Sequence, residues 1–173
     1  MSLNIIKIEE EGTEMDEAIE EAMAIINLYP DIFPHMYKQG FKLKKRITKG
    51  NLILQDGVVI TFSQYSTNGR LSKNATTRKK INDFIIHQIA TDRSVKGGTK
   101  KVLDEFVDHC KRKGAENLLL TVRKFNERAR NFYERYGFVY DSDITWNSKK
   151  DGEIQGIVYR LRLIKDKNIE SFI

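Results

Sequence analysis

Apolar residues recur at two periods along this chain, and the switches between them set out its elements. From Asp16 to Leu28, the residues Ile19, Ala22, Met23 and Ile26 fall at helical spacing, with acids in the first turn where the helix dipole favours them. Pro30 and Pro34 interrupt the pattern, and a second helix is expected from His35 to about Arg46. Leu52–Leu54 and Val58–Phe62 are β-rich runs around Gln55-Asp56-Gly57, and an Asp-Gly pair in that setting signals a hairpin. Residues 66–81 are polar and basic and read as a loop. Phe84–Thr91 (FIIHQIAT) reads as a strand. Lys101–Lys113 reads as a helix with Val102, Leu103, Phe106, Val107 and Cys110 on its core face, capped by Gly114. Leu118–Val122 is a short buried strand. A last helix lies in NERARNFYERYGF (Asn126–Phe138), and strands near Phe138–Ile144 and Ile157–Leu163 come after it. With a first strand at Asn4–Glu9, the order is β-α-α-β-β-β-α-β-α-β-β. It shows no internal repeat or linker and predicts one α/β domain over residues 1–173, a mixed sheet flanked by helices.

Two segments stand out chemically. At about 100° per residue, Phe125, Ala129, Phe132 and Tyr136 form one narrow stripe of the last helix, which reads as its core face. Asn126, Arg130 and Tyr133 form a second stripe about 90° away. Gly137 ends the helix, and Phe138 can fold back as the hydrophobic contact of the cap. On geometry alone, Asn126 is equally well an N-cap and Tyr133 a half-buried filler. The second segment, Ile89–Phe106, is a strand, a glycine turn and a basic helix start. Unpaired amides at a helix N-terminus suit an anion, and Lys96, Lys100 and Lys101 could add charge. Neither a Walker loop nor a GxGxxG fingerprint is present, so a plain loop stays open as well.

Composition narrows the class. The chain is 40% hydrophobic and 10% aromatic, enough for a core, and no apolar run approaches the ~20 residues that span a bilayer. The N-terminus lacks the basic and apolar regions of a secretory signal. A single cysteine, Cys110, excludes a disulfide framework, so a reducing cytoplasmic compartment is expected. The net charge of +6 is uneven: acids crowd residues 9–21, and basic clusters lie at 38–49, 70–80 and 96–101. Those clusters suit an anionic ligand or a solvated surface. They carry no helix-turn-helix, zinc or RNP pattern, so nucleic acid is not the expected partner. His35, His87 and His109 have no metal-ligand spacing, and no metal is expected.

Taken together, the two segments resemble the GNAT superfamily of acetyl-CoA-dependent N-acetyltransferases. Its later helix reads N-x-x-A-x-x-F/L-Y-x-x-x-G-F, matched here by Asn126, Ala129, Phe132, Tyr133, Gly137 and Phe138. Its cofactor segment, Q/R-x-x-G-x-G/A, aligns without gaps as Ser94-Val95-Lys96-Gly97-Gly98-Thr99. Ser94 and Thr99 depart from that pattern at its first and last positions. The resemblance covers about residues 83–140. It implies acetyl transfer from acetyl-CoA to a primary amine by direct attack in a ternary complex. It places pyrophosphate on the amides of Val95–Thr99, the pantetheine along Ile89, Ala90 and Thr91, a hydrogen bond from Asn126, and Tyr133 as the acid for the departing thiolate. Asp83, eleven residues before Ser94, falls where protein-lysine acetyltransferases of the superfamily carry a glutamate. His87, four residues on, is expected on the same face by strand alternation and has a near-neutral ordinary pKa. Either could be the base; either could be a structural residue. A catalytically silent acyl-CoA-binding sensor of the same fold is the alternative. The acceptor, small molecule or protein, carries no signature, and homo-oligomerisation is left open.

Overall fold

A seven-stranded sheet forms the centre of the computed structural model, which describes residues 3, 5–6, 13–33, 36, 38–48, 51–92, 94, 98–148 and 152–163. Its strands are β1 (Ile5–Ile6), β2 (Asn51–Gln55), β3 (Val58–Gln64), β6 (Phe84–Thr91), β7 (Asn117–Arg123), β8 (Val139–Ser148) and β9 (Gly152–Arg162). A small hairpin, β4 (Gly69–Arg70) and β5 (Arg78–Lys79), lies apart from it. The helices are α1 (Thr13–Ile26), α2 (Gly40–Thr48), α3 (Gly98–Arg112) and α4 (Glu127–Tyr136). The sheet order is β1-β2-β3-β6-β7-β9-β8, antiparallel at every pair except β6–β7. Apart from the small hairpin inside the expected loop, the element order matches that read from the sequence. Asp56 and Gly57 both adopt positive φ, 51° and 75°, the conformation a two-residue primed hairpin turn needs.

Two apolar layers sandwich the sheet. On one face Val102, Leu103 and Phe106 of α3 pack with Ile60, Phe62, Phe84 and Ile86. On the other, Ala22, Ile26 and Leu43 of α1 and α2 pack with Leu52, Leu54, Val59 and Ala90. A β-bulge interrupts the pairing of β3 with β6: Thr61 pairs with Gln88 and Phe62 with Ile86, leaving His87 as the extra residue. The bulge reverses side-chain parity. Before it Ile86 faces α3; after it Ile89 packs on that layer and Ala90 on the opposite one. Simple alternation across His87 therefore fails.

The second helix begins at Gly40 rather than near residue 35, which lies outside the described residues. The basic loop is anchored as well. Amides of Thr76 and Thr77 donate to the Asp141 carboxylate at 3.1 and 2.7 Å, and Ala75 is buried. Lys79 donates to the Thr67 carbonyl and lies 4.3 Å from the Tyr65 ring centroid.

Candidate active site

The parallel strand pair opens into a fork. Pairing of β6 with β7 is confined to Phe84–Ile86 against Leu118–Leu120. Beyond it β7 continues in register with β9 as far as Arg123, while β6 runs on to Thr91 beside β3. Each strand then feeds a helix, α3 after β6 and α4 after β7, so both helix N-termini flank the open end. The crevice beyond the carboxyl ends of parallel strands is where α/β sheets bind ligands, and helix starts favour anions there.

Two connected chambers fill the fork. The first, about 290 Å³, is lined by His87, Gln88, Thr121, Arg123 and Trp146. The second, about 360 Å³, is lined by Ala90, Thr91, Thr99, Arg128, Phe132 and Arg135. Ile32, Phe33, Ile89, Asn126, Ala129 and Tyr133 border both. The segment after α1 closes one side, held by the Tyr29 hydroxyl donating to the Thr91 carbonyl.

Tyr133 sits at the junction. It is 4% exposed and belongs to the core layer, against Phe138 and Tyr159. Among the described residues its hydroxyl has no hydrogen-bond partner, and burial pushes its pKa well above the ordinary phenol value. This corrects the expected helix phase. Phe125, assigned to the core stripe, is 60% exposed because it precedes the N-cap and lies outside the helix. Asn126 is the N-cap, its Oδ1 accepting from the Ala129 amide at 3.3 Å, and it also borders both chambers. The two readings of Asn126 are therefore compatible. Arg130, on the same expected stripe, faces elsewhere: it donates to the Lys124 carbonyl and the Tyr159 hydroxyl. At the helix end, Gly137 at φ 123° donates to Tyr133 and Glu134 carbonyls, and buried Phe138 folds back as expected.

On the α3 side, Val95, Lys96 and Gly97 lie outside the described residues. Ser94 borders neither chamber; its amide and hydroxyl both donate to Asp92, holding that carboxyl below its ordinary range. Gly98 opens α3, and a Cβ there would fall 2.6 Å from the Asp56 carbonyl oxygen. Its missing side chain thus serves packing on the β2–β3 turn. Thr99 lines the second chamber, its hydroxyl 2.7 Å from that of Thr91. The first turn of α3 carries no acid.

The two candidate bases separate. Asp83 is fully buried at the closed end of the strand pair, and its carboxylate accepts from amides of Lys80, Glu116 and Asn117 and from the Asn117 carboxamide, at 2.7–3.0 Å. It borders neither chamber, and lies about 20 Å along the strand from Ile89 at ~3.3 Å per residue. A base at Asp83 is therefore not what the geometry provides. His87 is half-buried, lines the first chamber, and places Nε2 2.8 Å from Ser63 Oγ. Three arginines not singled out by the sequence pattern also reach the fork. Arg128 and Arg135, seven residues apart on one face of α4, flank the second chamber, and Arg123 ends β7 in the first. The seven-residue spacing was the available signal for the pair. Among the described residues no group of His, Cys, Asp and Glu could hold a metal, and no helix is long and apolar enough to cross a membrane.

A mixed sheet whose parallel pair forks between two helix N-termini is the architecture of an acyl-CoA-dependent acetyltransferase. The chain belongs to the GNAT acetyltransferase family, whose family model matches residues 23–138. Its fold is similar to that of the ribosomal-protein-S18-alanine N-acetyltransferase from Escherichia coli, at TM-score 0.60 and 18% identity over 95% of this chain and 97% of that one. A probable acetyltransferase from Staphylococcus epidermidis gives TM-score 0.65 at 14% identity, over 92% and 98%. A Bacillus subtilis acetyltransferase in complex with CoA gives 0.56 at 12% identity, over 94% and 100%. No curated protein sequence matches the chain.

Proposed function

We propose that the chain is an N-acetyltransferase that moves the acetyl group of acetyl-CoA to a primary amine by direct attack in a ternary complex. One observation supports this above the others: the side chain of Tyr133, buried in the core, stands where the two chambers of the fork meet, and its hydroxyl has no hydrogen-bond partner among the described residues. Acetyl-CoA is the cosubstrate of the second chamber, and the amine enters by the first. The residues present suit that cosubstrate. The acid-free first turn of α3 and the side chains of Arg128 and Arg135 oppose its phosphates. The amides of Val95–Thr99 are the proposed pyrophosphate contacts, with Ser94 shaping the turn through Asp92. The strand segment Ile89–Thr91 lies beside the pantetheine, and the Asn126 carboxamide hydrogen-bonds it.

The reaction is built from these positions. The neutral amine attacks the thioester carbonyl carbon, and the developing oxyanion is received by backbone N–H groups near Ile89. As the C–N bond forms and the C–S bond breaks, the surplus amine proton passes to His87, directly or through water. The thiol of the departing arm ordinarily titrates near ~8.5 and a phenol near ~10. Burial raises Tyr133 further, so its proton stays on oxygen at neutral pH and stabilises the thiolate through a hydrogen bond. Asp83 has no part in this scheme.

The test is calorimetric titration with acetyl-CoA, followed by free-thiol release over a panel of amines. Saturable binding with amine-dependent thiol release is expected. Absence of binding at millimolar cosubstrate would remove the reading. Tight binding with no release for any acceptor would favour the alternative, a silent acyl-CoA-binding module.

A further inference from the structure

The first chamber contains an uncompensated cation. Arg123, the last residue of β7, is half-buried there, and among the described residues its guanidinium has neither an ion pair nor a hydrogen bond. No described acidic side chain lines the chamber; its other polar groups are His87, Gln88, Thr121 and Asn126. A partly desolvated charge without a partner is unfavourable in the ligand-free protein, and the planar guanidinium fork matches a carboxylate better than any other group.

The wall beside it is apolar by construction. Arg123 pairs with Gly156 of β9, and Trp146 of β8 lies over that glycine. A Cβ at position 156 would fall 2.3 Å from Cζ3 of the indole, so the glycine is what lets the ring cross β9 toward the chamber. Ile32 and Phe33 line the chamber as well, from the segment after α1. At about 290 Å³ the space is at the small end of the ~300–1,000 Å³ usual for ligand pockets. A polycationic amine would meet one repelling arginine and none of the described acids.

We infer that the acceptor is a small primary amine that also bears a carboxylate and an apolar body, as an aliphatic or aromatic amino acid does. Its carboxylate sits on Arg123 and its apolar part against Phe33 and Trp146. This deepens, and rests on, the acetyl-transfer reading above.

Matched pairs test it: L-leucine against 3-methylbutylamine, and L-phenylalanine against 2-phenylethylamine, with a diamine and a C-terminally amidated leucyl peptide as contrasts. The amino acids are expected to release thiol with kcat/KM about tenfold or more above their decarboxylated partners. Arg123→Gln should raise KM for the amino acids by about the same factor, with KM for acetyl-CoA and for the decarboxylated amines unchanged. Arg123→Lys should restore part of the preference. Equal or better use of the decarboxylated amines, the diamine or the peptide would overturn the inference, as would an unchanged preference in Arg123→Gln. A readout independent of turnover exists because Trp146 is the only tryptophan. L-leucine should change its fluorescence saturably in the CoA complex, and Arg123→Gln should weaken that change about tenfold. If acetyl-CoA binds yet no amine releases thiol, the transfer reading alone fails. The fluorescence titration then decides the carboxylate site, and no saturable change in the wild-type protein would sink it.

Discussion

Asp83 and Asn117 are joined twice: Oδ1 of the aspartate accepts from the asparagine amide at 2.9 Å, and Oδ2 from its carboxamide at 3.0 Å. The pair ties the starts of the two parallel strands together with every polar atom of the carboxylate engaged. Asp83→Ala would strand buried donors and is expected to cost about 3 kcal/mol of stability. Urea denaturation measures that loss, and turnover per folded molecule, assayed well below the melting temperature, should be nearly retained. A large loss of kcat with unchanged stability would return Asp83 to the chemistry.

Tyr133→Phe deletes a hydroxyl that has no partner among the described residues, so its effect on stability should be small. The expected consequence is a fall in kcat of about 10²-fold, the lower range for losing one hydrogen-bond donor aimed at developing negative charge, with acetyl-CoA affinity held. Calorimetry and thiol release on the same preparation separate the two. Unchanged turnover, with the chemical step shown to be rate-limiting, would remove Tyr133 from the mechanism.

Arg128 and Arg135 are exposed, so each should contribute modestly. Replacing either with alanine is expected to raise the Kd for acetyl-CoA on the order of three- to tenfold, about 1 kcal/mol, with the effect shrinking as salt rises. A Kd equal to that of the wild-type protein in both variants, at low salt, would show that the phosphates go elsewhere.

Tyr65 supplies a pH signature. Burial, and then the negative charge of Asp83, push its pKa up to about 12. The folded protein therefore holds a proton that the unfolded chain loses near ~10. The stability this contributes is present in full below pH ~10 and is lost as pH rises toward 12. Tyrosinate absorbance should show a group titrating late. Asp83→Asn should bring it only part of the way back, since burial is the larger cause.

Local chemistry made much of this legible in the sequence. The Asp-Gly turn, the glycine caps of α3 and α4 and the core face of α3 each depend on neighbouring residues, and the structure shows them as read. What escaped depends on pairing between distant segments. The bulge against Thr61–Phe62, which lets Ile86 and Ile89 share one layer, could not be read from Phe84–Thr91 alone. Phe125 received a helical phase although the helix had not begun. Arg123 looked like one more basic residue, because its setting comes from β8, β9 and the segment after α1.

The bulge at His87 also has a consequence for how this strand could be shortened. Without that residue Ile86, Gln88 and Ile89 would follow one another in register against Phe62, Thr61 and Ile60, and Ile89 and Ala90 would keep the faces they now occupy. Neither core layer needs the extra residue. What would go with it is the imidazole beside Ser63 and the first chamber. The strand carries one residue that the fold can spare and the proposed chemistry cannot.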